Sequence, residues 1–121
     1  MLALIVDDSA AIRRIQQKEL EALGWQVRTA AHGQQALEML CSIPACDLLL
    51  TDWHMPEMDG LELVRRVRRD MRFSTLRIIV VSSDAVMDSV HSALAAGADD
   101  FLMKPFSAEA LSQRIDEVMG G

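Results

Sequence analysis

Residues Cys46–Gly60 read CDLLLTDWHMPEMDG. The run Leu48–Leu50 is short, continuous and apolar, as in a strand buried on both faces. It ends in Thr51-Asp52, breaks at Pro56 and closes on Asp59-Gly60, which opens a new helical pattern. A carboxylate at the end of a buried strand is costly unless it is solvated, paired, bound to a cation or used in chemistry. The rest of the chain has to decide among these for Asp52.

The same unit recurs along all 121 residues. Apolar runs at Leu2–Val6, Trp25–Thr29, Leu48–Leu50, Ile78–Val81 and Phe101–Met103 alternate with segments of helical period. In the first segment Ile12, Ile15, Leu20 and Leu23 align, with Gly24 as C-terminal cap. The second carries Ala36, Leu37, Leu40 and Cys41 and stops near Pro44. The third begins at Asp59 with Glu62 three residues on, a capping-box pattern, followed by Leu61, Val64 and Val67. The fourth runs from about Ala85 to Ala96 with Val86, Val90 and Leu94. The fifth follows Ser107 and aligns Leu111, Ile115 and Val118. This βαβαβαβαβα order, without repeats or internal linkers, predicts one α/β domain spanning residues 1–121, a parallel sheet covered by helices on both faces. Right-handed crossovers place the functional groups along the C-terminal edge of the strands, near the switch point.

Composition narrows the class. Half of the residues are hydrophobic and a quarter charged, and the net charge is -6. That acidity disfavours nonspecific binding to nucleic acid or anionic membrane. Cys41 and Cys46 lack a second ligand pair and read as core or half-buried thiols rather than a zinc site. The apolar run in MLALIVDD is too short for a signal or a membrane span, and a cytoplasmic location is expected.

The strand ends form one list: Asp7 and Asp8 after the first, Thr51 and Asp52 after the third, Ser82 and Ser83 after the fourth, Lys104 and Pro105 after the fifth. In a parallel sheet they share one edge. Three adjacent carboxylates would raise at least one pKa by repulsion, and a hard divalent cation removes that conflict. Mg²⁺ suits oxygen ligands and one or two carboxylates plus phosphate. Lys104 adds a point charge for phosphate oxygens and Ser82 a neutral donor. With Asp52 as nucleophile, these are the parts of a phosphoryl-transfer site.

On IVDDS, TDWHMPEMDG, VVSSDA, GADDFLMKPF and the helix run SAAIRRI, the chain resembles the receiver domains of two-component response regulators, particularly the single-domain CheY type. The resemblance covers essentially the full length. It implies a doubly wound, flavodoxin-like (βα)5 sandwich with strand order 2-1-3-4-5. It also implies Asp52 as phosphoacceptor, Asp8 and Asp52 as direct Mg²⁺ ligands, Asp7 acting through water, and the His54 backbone carbonyl as the other protein ligand. Lys104 would pair with the phosphoryl group across a cis bond to Pro105. Ser82 and Phe101 would be the switch hydroxyl and switch aromatic, acting on the surface of the fourth helix, fifth strand and fifth helix.

Implied partners are a sensor histidine kinase or histidine phosphotransfer protein and a downstream target or output domain. The implied state is a monomer or phosphorylation-dependent dimer, a signalling switch rather than a metabolic enzyme. Ser82 stands where Thr is commoner in the family, and Phe101 where Tyr is commoner. His54 and Asp84, each two residues beyond a site residue, are expected to tune phospho-Asp lifetime by orienting or blocking water. Arg65, Arg66, Arg68, Arg69 and Arg72 read as a solvated helix face. Arg13 and Arg14 lie on the helix that faces the phosphodonor in the family.

Two rival classes fit poorly. A flavodoxin-like electron carrier needs a glycine- and hydroxyl-rich phosphate loop, whereas DDSAAIRR has no glycine and two extra acids. An Asp-nucleophile phosphatase usually carries D-x-D after the first strand and a capping insert, and no segment is long enough for one.

Overall fold

The computed structural model describes residues 1–43, 45–83 and 87–120, with the backbone alone at 87 and 88. Five strands and five helices alternate: β1 (Leu2–Val6), α1 (Ala10–Ala22), β2 (Gln26–Ala30), α2 (Gly33–Ser42), β3 (Leu48–Asp52), α3 (Gly60–Arg69), β4 (Arg77–Ser82), α4 (Met87–Ala96), β5 (Asp100–Met103) and α5 (Ala108–Val118). A 3-10 turn at Met71–Phe73 joins α3 to β4. All strand pairs are parallel, in the order β2-β1-β3-β4-β5. This is the doubly wound arrangement that the alternation and the resemblance led us to expect.

Alternation along the central strands divides the core in two. Leu4, Val6, Leu49, Ile78 and Val80 face α2, α3 and α4 and pack with Leu40, Leu63, Val64, Val67 and Ala93. Ala3, Ile5, Leu48, Leu50, Ile79 and Val81 face the other way, onto Leu20, Leu111 and Ile115 of α1 and α5. Burial on both faces explains why β1, β3 and β4 read as unbroken apolar runs.

β2 departs from that pattern. It starts one residue later than expected, and Gln26 and Arg28 are exposed while Ala30 is buried. It is an edge strand, with Ala30 packed in one core cluster and Val27 against the other. α1 also departs: Gln16 and Leu20 are its buried residues, and Ile15 and Leu23 are exposed. Cys41 is exposed in the last turn of α2, with the Arg72 Nη2 donating toward its Sγ at 3.5 Å, whereas Cys46 is half-buried. α4 is described from Met87; Ala85 and Val86 lie outside the described residues. Among the described residues no helix is long and apolar enough to cross a membrane.

The helix ends follow local chemistry. Ser9, Asp59 and Ser107 cap α1, α3 and α5 by accepting from the amides of Ile12, Glu62 and Ala110. Each satisfies a backbone donor that has no partner within the helix. Glu62 does not complete a reciprocal box; its carboxylate pairs with Arg66 at 3.2 Å. α1 and α4 end at Gly24 (φ 94°) and Gly97 (φ 120°), where the left-handed turn favours glycine.

Candidate acidic phosphoacceptor site

The C-terminal edge gathers the residues that the sequence singled out. Asp7 and Asp8 follow β1, and Asp52 ends the neighbouring β3, so the acids meet where the strand order reverses between β1 and β3. One carboxylate oxygen from each of Asp7, Asp8 and Asp52 lies within 4.8 Å of the others. Asp7 is buried and Asp52 is 9% exposed, whereas Asp8 is open to solvent.

Lys104 crosses from the end of β5 and ties this group together. Its Nζ donates to Asp7 Oδ2 and to Asp52 Oδ1, both at 3.1 Å. Its backbone amide donates to the Ser82 carbonyl at 2.8 Å, which joins β5 to β4 at the same edge. The Lys104–Pro105 peptide is cis. Ser82 is fully buried at the end of β4, and Phe101 is 7% exposed, packed into the cluster beneath α4.

Burial lifts the Asp52 carboxyl above the ordinary carboxylate range; the Lys104 ammonium opposes this and Asp7 reinforces it. For Lys104 burial works to lower the pKa, but hydrogen bonding and charge from Asp7 and Asp52 outweigh it and hold the ammonium above the ordinary lysine range. Asp7 has both oxygens engaged, Oδ1 accepting from the Ser9 amide at 2.9 Å and Oδ2 from Lys104. Asp8 keeps its carboxylate toward solvent. Hard oxygen donors alone form this cluster among the described residues, and that donor set fits Mg²⁺ rather than a softer ion.

The loop leaving Asp52 is held by backbone bonds. Trp53 N donates to Val81 O at 2.9 Å, and Gly60 N to Trp53 O at 2.9 Å. Met55 and Met58 are buried, whereas the His54 side chain is exposed, edge-on to Trp53 with ring centroids 6.5 Å apart. Asp84 lies outside the described residues.

Two arginines make contacts that the sequence did not reveal, and for Arg68 they overturn the solvated-face expectation. Arg13 is half-buried and turned toward the site, with its Nη1 donating to the Asp7 carbonyl at 2.6 Å. Its position four residues after the Ser9 cap was the available signal, because helical side chains lean toward the N-terminus. Arg68 is no solvated residue: it donates to the carbonyls of Gly97 and Phe73 and to Asp99 Oδ2, at 2.8, 3.0 and 2.9 Å.

A buried carboxylate beside two more acids and one lysine, at the switch point of a 2-1-3-4-5 sheet, defines a phosphoacceptor domain, and the chain belongs to the response regulator receiver domain family, which residues 3–116 match. It is 40% identical over 121 residues to the chemotaxis protein CheY1 of Helicobacter pylori, covering 99% of this chain and 98% of that protein. It is also 40% identical over 119 residues to the chemotaxis protein CheY of Pseudomonas aeruginosa, covering 98% and 95%. Among solved structures, the Vibrio cholerae chemotaxis protein CheY4 superimposes with a TM-score of 0.91 at 32% identity, covering 97% of each chain. The protein is thus a CheY-like receiver, a phosphoacceptor of two-component signalling.

Proposed function

We propose that Asp52 accepts a phosphoryl group from a phosphohistidine on a histidine kinase or histidine phosphotransfer protein, in a Mg²⁺-dependent reaction. The observation that carries this reading is the double contact of Lys104 Nζ with Asp7 and Asp52 beside the open carboxylate of Asp8. Asp8, Asp52 and the His54 carbonyl would hold Mg²⁺ directly. Asp7, with both oxygens engaged, would act through water. Bound Mg²⁺ supplies charge neutralisation for the phosphoryl oxygens.

An Asp52 carboxylate oxygen attacks phosphorus; the new P–O bond forms as the P–N bond to the donor imidazole breaks, and the freed nitrogen takes a proton. Lys104 exchanges part of its contact with Asp52 for a phosphoryl oxygen, and the Ser82 hydroxyl donates to another. The added charge and acceptor oxygens draw Ser82 toward Asp52 and bias the α4–β5–α5 surface for target binding. Phe101, buried in the cluster that includes Ala93 of α4, is the aromatic through which the Ser82 displacement would reach that surface.

Water attack on the acyl phosphate returns the domain to its resting form. His54 and Asp84 set the lifetime of phospho-Asp52; unchanged dephosphorylation in His54→Ala and Asp84→Ala would remove that assignment. The unit acting is residues 1–121 as one receiver domain in the cytoplasm, a monomer or a phosphorylation-dependent dimer, coupled to a separate protein target or an output domain.

The test is Mg²⁺ with a small phosphodonor, followed by intact mass. A one-phosphoryl mass gain is expected, lost on omission of Mg²⁺ and in Asp52→Asn. A folded wild-type protein that gains no mass would overturn the reading.

A further inference from the structure

The turn between β1 and α1 is tied more tightly than a capped helix needs. Asp7 N donates to Ala30 O at 3.2 Å, and Ser9 N to Asp7 Oδ1 at 2.9 Å. Ile12 N donates to Ser9 Oγ at 3.3 Å, and Arg13 N to Ser9 O at 3.0 Å. These bonds hold residue 7 and residues 9 to 13. The Asp7 carbonyl, at the peptide that leads into Asp8, is held by the Arg13 guanidinium at 2.6 Å. Asp8 stands between the two anchored segments, with its side chain in solvent.

We infer that Arg13 is a positioning residue for the cation site, acting through the Asp7 carbonyl to aim the Asp8 carboxylate. The inference rests on the proposed Mg²⁺ site and adds a residue that would touch neither cation nor phosphate. A carboxylate whose backbone is held in place binds without first being ordered, and losing that restraint weakens binding. Arg13 also carries a positive charge near a cation site. By Coulomb's law alone, removing that charge would tighten Mg²⁺ binding. Positioning and charge therefore predict opposite signs for the same substitution. Arg14, adjacent in sequence but exposed, carries the charge without facing the turn.

The experiment is a Mg²⁺ titration of tryptophan emission, with Trp53 beside the acceptor, repeated as the Mg²⁺-induced rise in melting temperature. Both are read on folded protein in the absence of phosphodonor. Arg13→Met is expected to raise the Mg²⁺ Kd about tenfold, the scale on which groups that orient metal ligands act. Arg13→Lys keeps a charged donor and should recover most of the affinity. Arg14→Met should bind at least as tightly as wild type. Arg13→Gln is measured in parallel, so that failure of one variant to fold leaves the comparison intact.

Arg13→Met or Arg13→Gln binding as tightly as Arg14→Met overturns the inference. Absence of Mg²⁺ binding by the wild type in both readouts overturns the cation reading itself. Lower stability with an unchanged Kd assigns Arg13 to the fold alone and also overturns the inference.

Discussion

Gly60 is the first residue of α3, and it lies against the end of β3 that carries Asp52. A Cβ built there falls inside van der Waals contact with the Asp52 carbonyl oxygen, 3.0 Å from Trp53 Cα and 3.1 Å from the Asp52 carbonyl carbon. All three are backbone atoms, so no side chain can rotate away. Gly33 opens α2 and offers a matched comparison, because its Cβ would meet Met58 Sδ at 2.6 Å and Cγ at 3.0 Å. Met58 is unbranched and can shift. Either Gly→Ala change gains up to about 1 kcal/mol in helix propensity, while overpacking costs about 1–3 kcal/mol. With backbone in the way, Gly60→Ala falls at the upper end and nets roughly 2 kcal/mol of destabilisation. Gly33→Ala, at the lower end, nets close to zero.

Urea unfolding followed by far-UV circular dichroism should show the Gly60→Ala midpoint lowered by about 1 M for a slope near 2 kcal/mol/M. The Gly33→Ala midpoint should stay within a few tenths of wild type. Gly60→Ala should also slow the proposed phosphorylation of Asp52, because the strain is relieved by moving that residue. A Gly60→Ala midpoint at or above wild type, or an equal loss in both variants, would refute the reasoning.

Three further outcomes are expected. Lys104→Met leaves Asp7 and Asp52 without their shared cation; metal-free protein should lose about 3 kcal/mol, and Mg²⁺ should restore part of it in urea melts. Burial holds the Glu19 carboxyl above its ordinary range, so the folded chain binds that proton more tightly than the unfolded chain. Its stability contribution is complete below the ordinary carboxylate pKa and is lost as pH rises through the folded value. Glu19→Gln should therefore melt higher than wild type at neutral pH and match it near pH 4; a constant difference across that interval would count against this account. Burial pushes the Cys46 thiol up to about 11, whereas Cys41 is exposed, so a thiol reagent at neutral pH should label one cysteine rapidly. That fast site should disappear in Cys41→Ser.

Much of this architecture was legible in the chain because period and burial coincide in it. β1, β3 and β4 are covered on both faces, and their unbroken apolar runs show it. The acids, the serine and the lysine could be gathered on paper because each follows a strand and every strand runs the same way. The caps at Ser9, Asp59 and Ser107 are local bonds within a few residues, so their chemistry is written where they act.

The rest depended on neighbours far along the chain. Nothing in Trp25–Thr29 says that β2 is an edge, because a strand's cover comes from elements packed against it. Helical period put Ile15 and Leu23 on the apolar side of α1, but the face that α1 turns to the sheet buries Gln16 and leaves both exposed. Arg68 sits in a run of arginines that periodicity assigns to solvent; only the approach of Gly97, Phe73 and Asp99 makes it a junction. Arg13 and Arg14 are identical residues side by side, and the turn of the helix points one of them at the Asp7 carbonyl.

The sequence by itself determined the order of elements, the parallel sheet and the set of groups at its C-terminal edge, because these follow from alternation, short-range capping and strand direction. Only the tertiary structure decided the contacts among those groups: Lys104 shared between Asp7 and Asp52, Asp8 left open, Phe101 buried. Those distances are set by the packing of strands and helices up to 97 residues apart in the chain, and no local pattern encodes a contact of that range.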